Sequence, residues 1–235
     1  MNKYFSSSNM TGGYGGVDIL NNCGIEANQG EISVVVGPNG AGKSTAMKAM
    51  LGMISLKSGK IILNGKDISS LTPEDRVAQG IAFVPQTMNI FSELTVEENL
   101  EMGAFLRNDD INKTIEEVYK LFPVLKDKQN QLAGELSGGQ RQQVAVGRAL
   151  MTKPSVLMLD EPTAGVSPIV MDELFDRIIE IKNTGVAIII VEQNAKQALS
   201  IADFGYVLVG GKNKFTGKGS ELLNNPDVRK AFLGG

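Results

Sequence analysis

Apolar residues along this chain follow two different periods. Residues Ile32–Val36 (ISVVV), 156–159 (VLML) and 186–191 (VAIIIV) are continuous runs, apolar but for Ser33. Such runs predict central strands buried on both faces, because a strand with one wet face would alternate. Elsewhere apolar residues recur every three or four positions, as in the helical pattern over 45–51. Strands alternating with helices predict an α/β fold with a mostly parallel sheet. Residues 61–63 followed by Asn64-Gly65 predict a hairpin, and so do 206–209, Gly210-Gly211 and 212–215. The two hairpins add an antiparallel β portion. Residues 2–11 are too rich in Ser and Asn to predict a strand.

The stretch 87–135 differs in kind. It holds two helical patterns and no strong strand. Thr95 and Glu98 form a T-x-x-E capping box ahead of Leu100, Ala104 and Phe105. Ile111, Ile115, Val118, Tyr119 and Phe122 then share one helix face, with Pro123 expected to end that helix. We read 1–235 as a single domain with a helical subdomain, 87–135, inserted in it. The apolar stripe is read as core.

Composition narrows the choices. With 235 residues, 42% hydrophobic and 21% charged, the chain has the profile of a folded globular protein. A chain of this length buries roughly 70% of its unfolded surface and needs no disulfide. The single cysteine, Cys23, is expected to be a small buried apolar group, which fits a reducing compartment. Basic residues number 23 and acidic residues 26, for a net charge of −3. That argues against nucleic-acid binding, which favours a basic surface. No apolar run approaches the ~20 residues that span a bilayer, and MNKYFSSSNM lacks the apolar stretch of a signal peptide. The expectation is a soluble chain that docks on a membrane protein. There is no histidine, so His–metal sites and His general bases are excluded.

Gly37-Pro38-Asn39-Gly40-Ala41-Gly42-Lys43-Ser44 satisfies G-x-x-x-x-G-K-[ST], between a buried strand and the helix that Thr45 opens. Glycines let backbone N–H groups turn inward around phosphate oxygens. The helix N-terminus adds roughly half a positive charge. Lys43 supplies a full charge for the β/γ-phosphates, and the Ser44 hydroxyl suits Mg²⁺. The run 156–159 ends in Asp160 and Glu161. Asp160 suits a Mg²⁺ ligand, and Glu161 a general base that polarises the attacking water.

Between these lies Leu136-Ser137-Gly138-Gly139-Gln140-Arg141-Gln142-Gln143. LSGGQ followed by RQQ, placed just before the acidic strand, resembles the signature of ATP-binding-cassette (ABC) ATPases. A helix is expected from about Arg141 to Met151, with Ser137 as its N-cap or as a phosphate donor. The resemblance implies a P-loop NTPase core that hydrolyses ATP with Mg²⁺. It implies that Ser137, Gly138, Gly139 and Gln140 bind the γ-phosphate held by an opposite ATPase subunit. Gln86, in Val84-Pro85-Gln86, resembles the glutamine that reaches Mg²⁺ and the water. Tyr14 resembles the aromatic residue that stacks on adenine. Pro162-Thr163 continues the pattern.

Thr95-Val96-Glu97-Glu98-Asn99-Leu100, Val191-Glu192-Gln193-Asn194-Ala195, Ala198-Leu199, Ala202-Asp203 and Phe232-Leu233-Gly234-Gly235 look like the LivF-type ATPase subunits of branched-chain amino-acid importers. That resemblance implies transmembrane permease subunits, one of which inserts a coupling helix at the helical subdomain. It implies a second ABC ATPase subunit, a related chain in the transporter or a second copy in isolation. A periplasmic or extracellular solute-binding protein would act indirectly. The implied location is cytoplasmic, on the inner face of the membrane. The alternatives are a urea or amide importer, a soluble ABC ATPase, or a non-hydrolytic scaffold, the last opposed by intact Lys43, Asp160 and Glu161.

Two positions depart from the common pattern. Most ABC ATPases place a γ-phosphate-contacting histidine where Gln193 stands; an amide donates a hydrogen bond but carries no charge. The loop after Glu161 usually ends in an aspartate; here it ends in Ser167-Pro168, which reads as N-cap and first residue of the next helix.

Overall fold

The computed structural model describes residues 3–233. Its centre is a six-stranded sheet of order β10-β9-β3-β8-β7-β6. These strands are β3 (Ile32–Val36), β6 (Ile81–Val84), β7 (Val156–Asp160), β8 (Ala187–Val191), β9 (Phe204–Val209) and β10 (Lys212–Gly217). All neighbours are parallel except the β9–β10 hairpin at the edge. β3, β7 and β8 are buried at every residue, as expected of near-continuous apolar runs. Their alternate side chains feed two cores. Val34, Leu157, Leu159, Ile188 and Ile190 face one; Val35, Met158, Ile189 and Val191 face the other.

On the second face lie helix α1 (Lys43–Leu51) and a four-stranded antiparallel sheet of order β2-β1-β4-β5. It is built from β1 (Phe5–Tyr14), β2 (Val17–Ala27), β4 (Leu56–Leu63) and β5 (Lys66–Asp67). Asn64 and Gly65, both with positive φ, turn β4 into β5. Helix α2 (Pro73–Ala78) follows, its buried Arg76 donating to the Ala49 and Met50 carbonyls at the end of α1.

The first face is covered by helices. These are α3 (Val96–Gly103), α4 (Asn112–Leu121), α5 (Pro123–Asp127), α6 (Gly138–Leu150) and α7 (Pro168–Asn183), followed by α8 (Ala195–Ser200). The Thr95–Glu98 capping box closes at 3.2 and 2.7 Å. Ile115, Val118, Tyr119 and Phe122 are buried together. No helix among the described residues is long and apolar enough to cross a membrane.

Two expectations are corrected. The Ser- and Asn-rich start does form a strand, β1. Ser7 turns its hydroxyl onto the Ile25 backbone, donating to the carbonyl at 3.2 Å and accepting from the N–H at 3.0 Å. A bulge at Asn9 (φ 52°) then breaks the alternation. The helix before Pro123 does end there, at Leu121, and Pro123 then opens α5. Helix α6 starts at Gly138, not near Arg141, because Ser137 caps it. Phe105, two residues past the end of α3 at Gly103, is 70% exposed. Gly234-Gly235 lie outside the described residues.

Candidate active site

β3 runs into the loop 37–42, and α1 leaves from it. Gly37 has φ 153°, and a Cβ there would sit 2.2 Å from the Leu208 carbonyl oxygen of β9. Its glycine therefore answers a close approach of two backbones. Gly40 (φ 77°) meets nothing within 4 Å of where a Cβ would be, so the middle of the loop is open. No side chain caps the start of α1 behind Gly42. Uncapped N–H groups at a helix start suit an anion. Lys43 is buried and donates to the Gly37 and Pro38 carbonyls, at 2.9 and 3.2 Å. Of the other loop residues, Pro38, Asn39 and Gly40 are exposed, while Ala41, Gly42 and Thr45 are buried.

The acids stand at the end of β7. Ser44 Oγ donates to Asp160 Oδ1 at 2.8 Å. Glu161 is held in the left-handed region (φ 49°), which costs a non-glycine residue about 1–3 kcal/mol. Its N–H donates to the Val191 carbonyl at 2.9 Å. Its carboxylate receives two side-chain amides on one oxygen: Gln86 Nε2 and Gln193 Nε2 each lie 2.7 Å from Oε2. Gln86 follows β6 and Gln193 follows β8. Three strand ends thus converge on one carboxylate.

Asp160, Glu161 and Glu192 are all buried. Burial pushes the Asp160 pKa up, the Ser44 hydrogen bond opposes, and nearby Glu161 reinforces the rise. Burial also raises Glu192, against hydrogen bonds from Thr163 and Gln193. Burial lowers Lys43, and Glu161, Asp160 and Glu192 pull it back up. Three buried carboxyl groups thus stand around one buried ammonium. Beside it stand two hard oxygen donors, the Ser44 hydroxyl and the Asp160 carboxylate. That donor set fits Mg²⁺, which binds few protein oxygens and keeps water and phosphate as further ligands.

At the start of α6 the Ser137 and Gln140 side chains satisfy each other's backbone N–H groups, at 3.3 and 3.1 Å. Ser137 and Gly138 face solvent. Gly139 does not: a Cβ there would lie 2.3 Å from Val170 Cγ1 of α7. Tyr14, 48% exposed, ends β1 at the hairpin turn formed by Gly15 and Gly16. The same hairpin places Ile19 and Leu20 beside Gly42, so Tyr14 stands on an element that flanks the loop. Ser167 caps α7.

Sequence reasoning missed Glu192 and Thr163 as partners, and the Asn89–Gln142 hydrogen bond of 2.7 Å that ties the segment after Gln86 to α6. The signal for Glu192 was present. An acid directly after a buried apolar strand is the feature that drew notice to Asp160 and Glu161.

A family model described as ABC transporter matches residues 20–164. Over 223 residues the chain is 44% identical to the high-affinity branched-chain amino acid transport ATP-binding protein BraG of Pseudomonas aeruginosa, covering 94% of this chain and 96% of that one. It is 41% identical over 227 residues to the probable branched-chain amino acid transport ATP-binding protein LivF of Archaeoglobus fulgidus, covering 96% of each. A solved ADP conformation of an ATP-binding cassette of an ABC transporter superposes with a TM-score of 0.86 at 29% identity over the whole of both chains.

Proposed function

The chain belongs to the ABC transporter family, as an ABC ATPase, and from that premise we propose that it is the motor subunit of a branched-chain amino-acid importer. The geometry that carries the ATPase reading is the pair of amides, Gln86 and Gln193, closing on Glu161 beside Ser44 and Asp160. The similarity to BraG and LivF supports the choice of substrate class.

In this reading the loop from Gly37 to Thr45 holds the phosphates of ATP through its N–H groups, and Tyr14 stacks on adenine. Lys43 exchanges its two loop carbonyls for phosphate oxygens. Ser44, Asp160 and Gln86 hold Mg²⁺, which when bound neutralises charge on the phosphates. Glu161, oriented by Gln86 and Gln193, takes a proton from the attacking water. Ser137, Gly138, Gly139 and Gln140 belong to the site of a second ATPase subunit, so that two nucleotides are enclosed between two subunits. Binding closes this sandwich and hydrolysis reopens it.

Residues 87–135 act as the helical subdomain that receives the permease. A groove of about 430 Å³ runs between this region and the core, lined by Met53, Val77, Phe83, Phe105 and Arg148. Met53 and Phe105 are exposed apolar residues at that groove. A helix contributed by a transmembrane partner would cover them. The chain would then lie on the inner face of the membrane, with the solute-binding protein on the other side.

The test is to copurify the chain with its integral-membrane partners, rebuild the complex in vesicles and measure ATP-driven uptake. Leucine, isoleucine or valine should accumulate only with ATP. Uptake of urea or short amides instead would move the assignment to those importers. Turnover with no membrane partner at all would favour a soluble ATPase.

A further inference from the structure

Glu192 is 3% exposed and sits directly after β8, between Val191 and Gln193. Its Oε1 accepts two hydrogen bonds from one residue, Thr163: the backbone N–H at 3.0 Å and the hydroxyl at 2.7 Å. Its Oε2 accepts the backbone N–H of Gln193 at 3.1 Å. The two oxygens therefore hold two different segments. One is the turn that follows Glu161; the other is the residue whose side chain reaches Glu161. A single buried carboxylate thus bridges the mount of the base and the mount of one of its orienting amides.

The arrangement is costly for a fold to keep. A buried carboxylate is tolerated when it is paired or fully hydrogen-bonded, and none of the described salt bridges involves Glu192. It lies near a second carboxylate, Glu161, which opposes its charge. Buried charge of this kind is weak as a source of stability. Its three donors come from the two segments that must agree for Gln193 and Glu161 to meet.

We propose that Glu192 is a positioning residue for hydrolysis, fixing the turn after Glu161 through Thr163 and the direction of Gln193 through its N–H. This rests on the ATPase reading above. Glu192 acts through Thr163 and Gln193, and sets the angle at which Gln193 meets Glu161. Its two arms are separable. Glu192→Gln keeps one carbonyl oxygen, which the two Thr163 donors claim. The new NH₂ group then faces the Gln193 N–H, donor against donor, and that arm opens. Thr163→Val instead removes one donor from the other arm.

The experiment compares wild type, Glu192→Gln, Gln193→Ala and the double variant as complete complexes, by kcat and KM for ATP. Glu192→Gln should lower kcat by at least about tenfold, the low end of what one hydrogen bond to a charged group supplies, with KM within about twofold of wild type. Added to Gln193→Ala, it should cost little more, because both changes remove the same contact. Full additivity, or an unchanged kcat in Glu192→Gln, overturns the proposal. A second measurement needs no turnover. In the isolated chain the side-chain amide resonance of Gln193 should move in Glu192→Gln, while that of Gln86 stays. Both moving, or neither, overturns it as well. An inactive wild-type complex would sink the ATPase reading, while the resonances would still decide the role of Glu192.

Discussion

Gln193 and Glu161 follow different strands of the central sheet, yet Gln193 Nε2 lies 2.7 Å from Glu161 Oε2. The chain has no histidine, so the group meeting Glu161 from this strand is a neutral amide that does not titrate. Its contribution is a hydrogen bond and an orientation. A hydrogen bond to a charged group contributes about 1.5–3 kcal/mol, roughly 10–150-fold if expressed only in the transition state. Gln193→Ala should therefore slow turnover within that span. Gln193→His should stay active and gain a pH dependence between about 6 and 7.5, where an imidazole titrates. ATPase rate against pH for the three complexes decides this. An alanine variant as fast as wild type would mean that Gln86 alone orients Glu161.

Glu161 itself is strained, with φ 49°, and its backbone is pinned to Val191. Glu161→Gln keeps both features and the carbonyl oxygen that accepts the amides, but removes the proton acceptor. We expect turnover to fall by about 10²–10⁴-fold, the usual contribution of a general base, with ATP affinity kept. Lys43→Ala should weaken affinity instead, since Lys43 lies across the loop on Gly37 and Pro38. Equilibrium binding of ATP separates the two cases.

Much of this was legible because strand ends and loops carry local signals. The buried runs announced β3, β7 and β8, and the two hairpins showed in Asn64-Gly65 and Gly210-Gly211. The loop 37–44 and the acids after β7 followed from one strand-to-helix turn and one strand end. The failures share a cause, which is long-range satisfaction of a locally poor pattern. Ser7 is buried in β1 only because the Ile25 backbone, on the next strand, takes its hydroxyl. Gly139 looks like part of a phosphate motif, and nothing within its own helix reveals that Val170 occupies the space of its missing side chain. The convergence of Gln86, Gln193 and Glu192 on the acids needs the strand order β8-β7-β6, which no single segment encodes.

Gly139 and Gly138 should therefore respond differently to the same change. A Cβ on Gly139 would lie 2.3 Å from Val170 Cγ1, whereas one on Gly138 would meet only the Gly165 carbonyl at 3.9 Å. Overpacking costs typically about 1–3 kcal/mol, and each kcal/mol shifts Tm by about 2–4 °C in a domain of this size. Gly139→Ala should lower Tm accordingly, and Val170→Ala in the same chain should restore most of it. Gly138→Ala should leave Tm near wild type. Equal losses at both positions would contradict the packing account.

Ser137 faces solvent and spends its hydrogen bonds on capping α6. If it serves the nucleotide of a second subunit, Ser137→Arg should bind ATP as a monomer with wild-type affinity. It should fail to form the ATP-dependent dimer expected of Glu161→Gln, where arrested hydrolysis would preserve the sandwich. Light scattering with and without ATP measures this in the Glu161→Gln background. Loss of monomer affinity would place the signature in its own chain's site.

Asp160 links the site to stability through pH. Its pKa is raised by burial above the ordinary 3.8, so the folded chain favours the protonated acid. Well below pH 3.8 both folded and unfolded chains hold the proton, and Asp160 contributes nothing. As pH rises past that value the unfolded chain releases its proton first, so stability falls until the folded pKa is passed; beyond it the penalty is constant. The nucleotide-free chain therefore carries the full cost only above the folded pKa. Asp160→Asn removes it and still offers an oxygen to the Ser44 hydroxyl. We expect the variant to gain Tm over wild type as pH rises from 3.8, then to hold that gain. Saturating ATP and Mg²⁺ should reverse the order. A ligand at 100 times its Kd adds about 2.7 kcal/mol to a chain that binds it, and the asparagine variant, short of one metal-binding charge, should receive much less. Thermal melts across pH, with and without ATP and Mg²⁺, test both halves. A nucleotide-free variant less stable than wild type at neutral pH would show that Asp160 is held for the fold rather than for the cation.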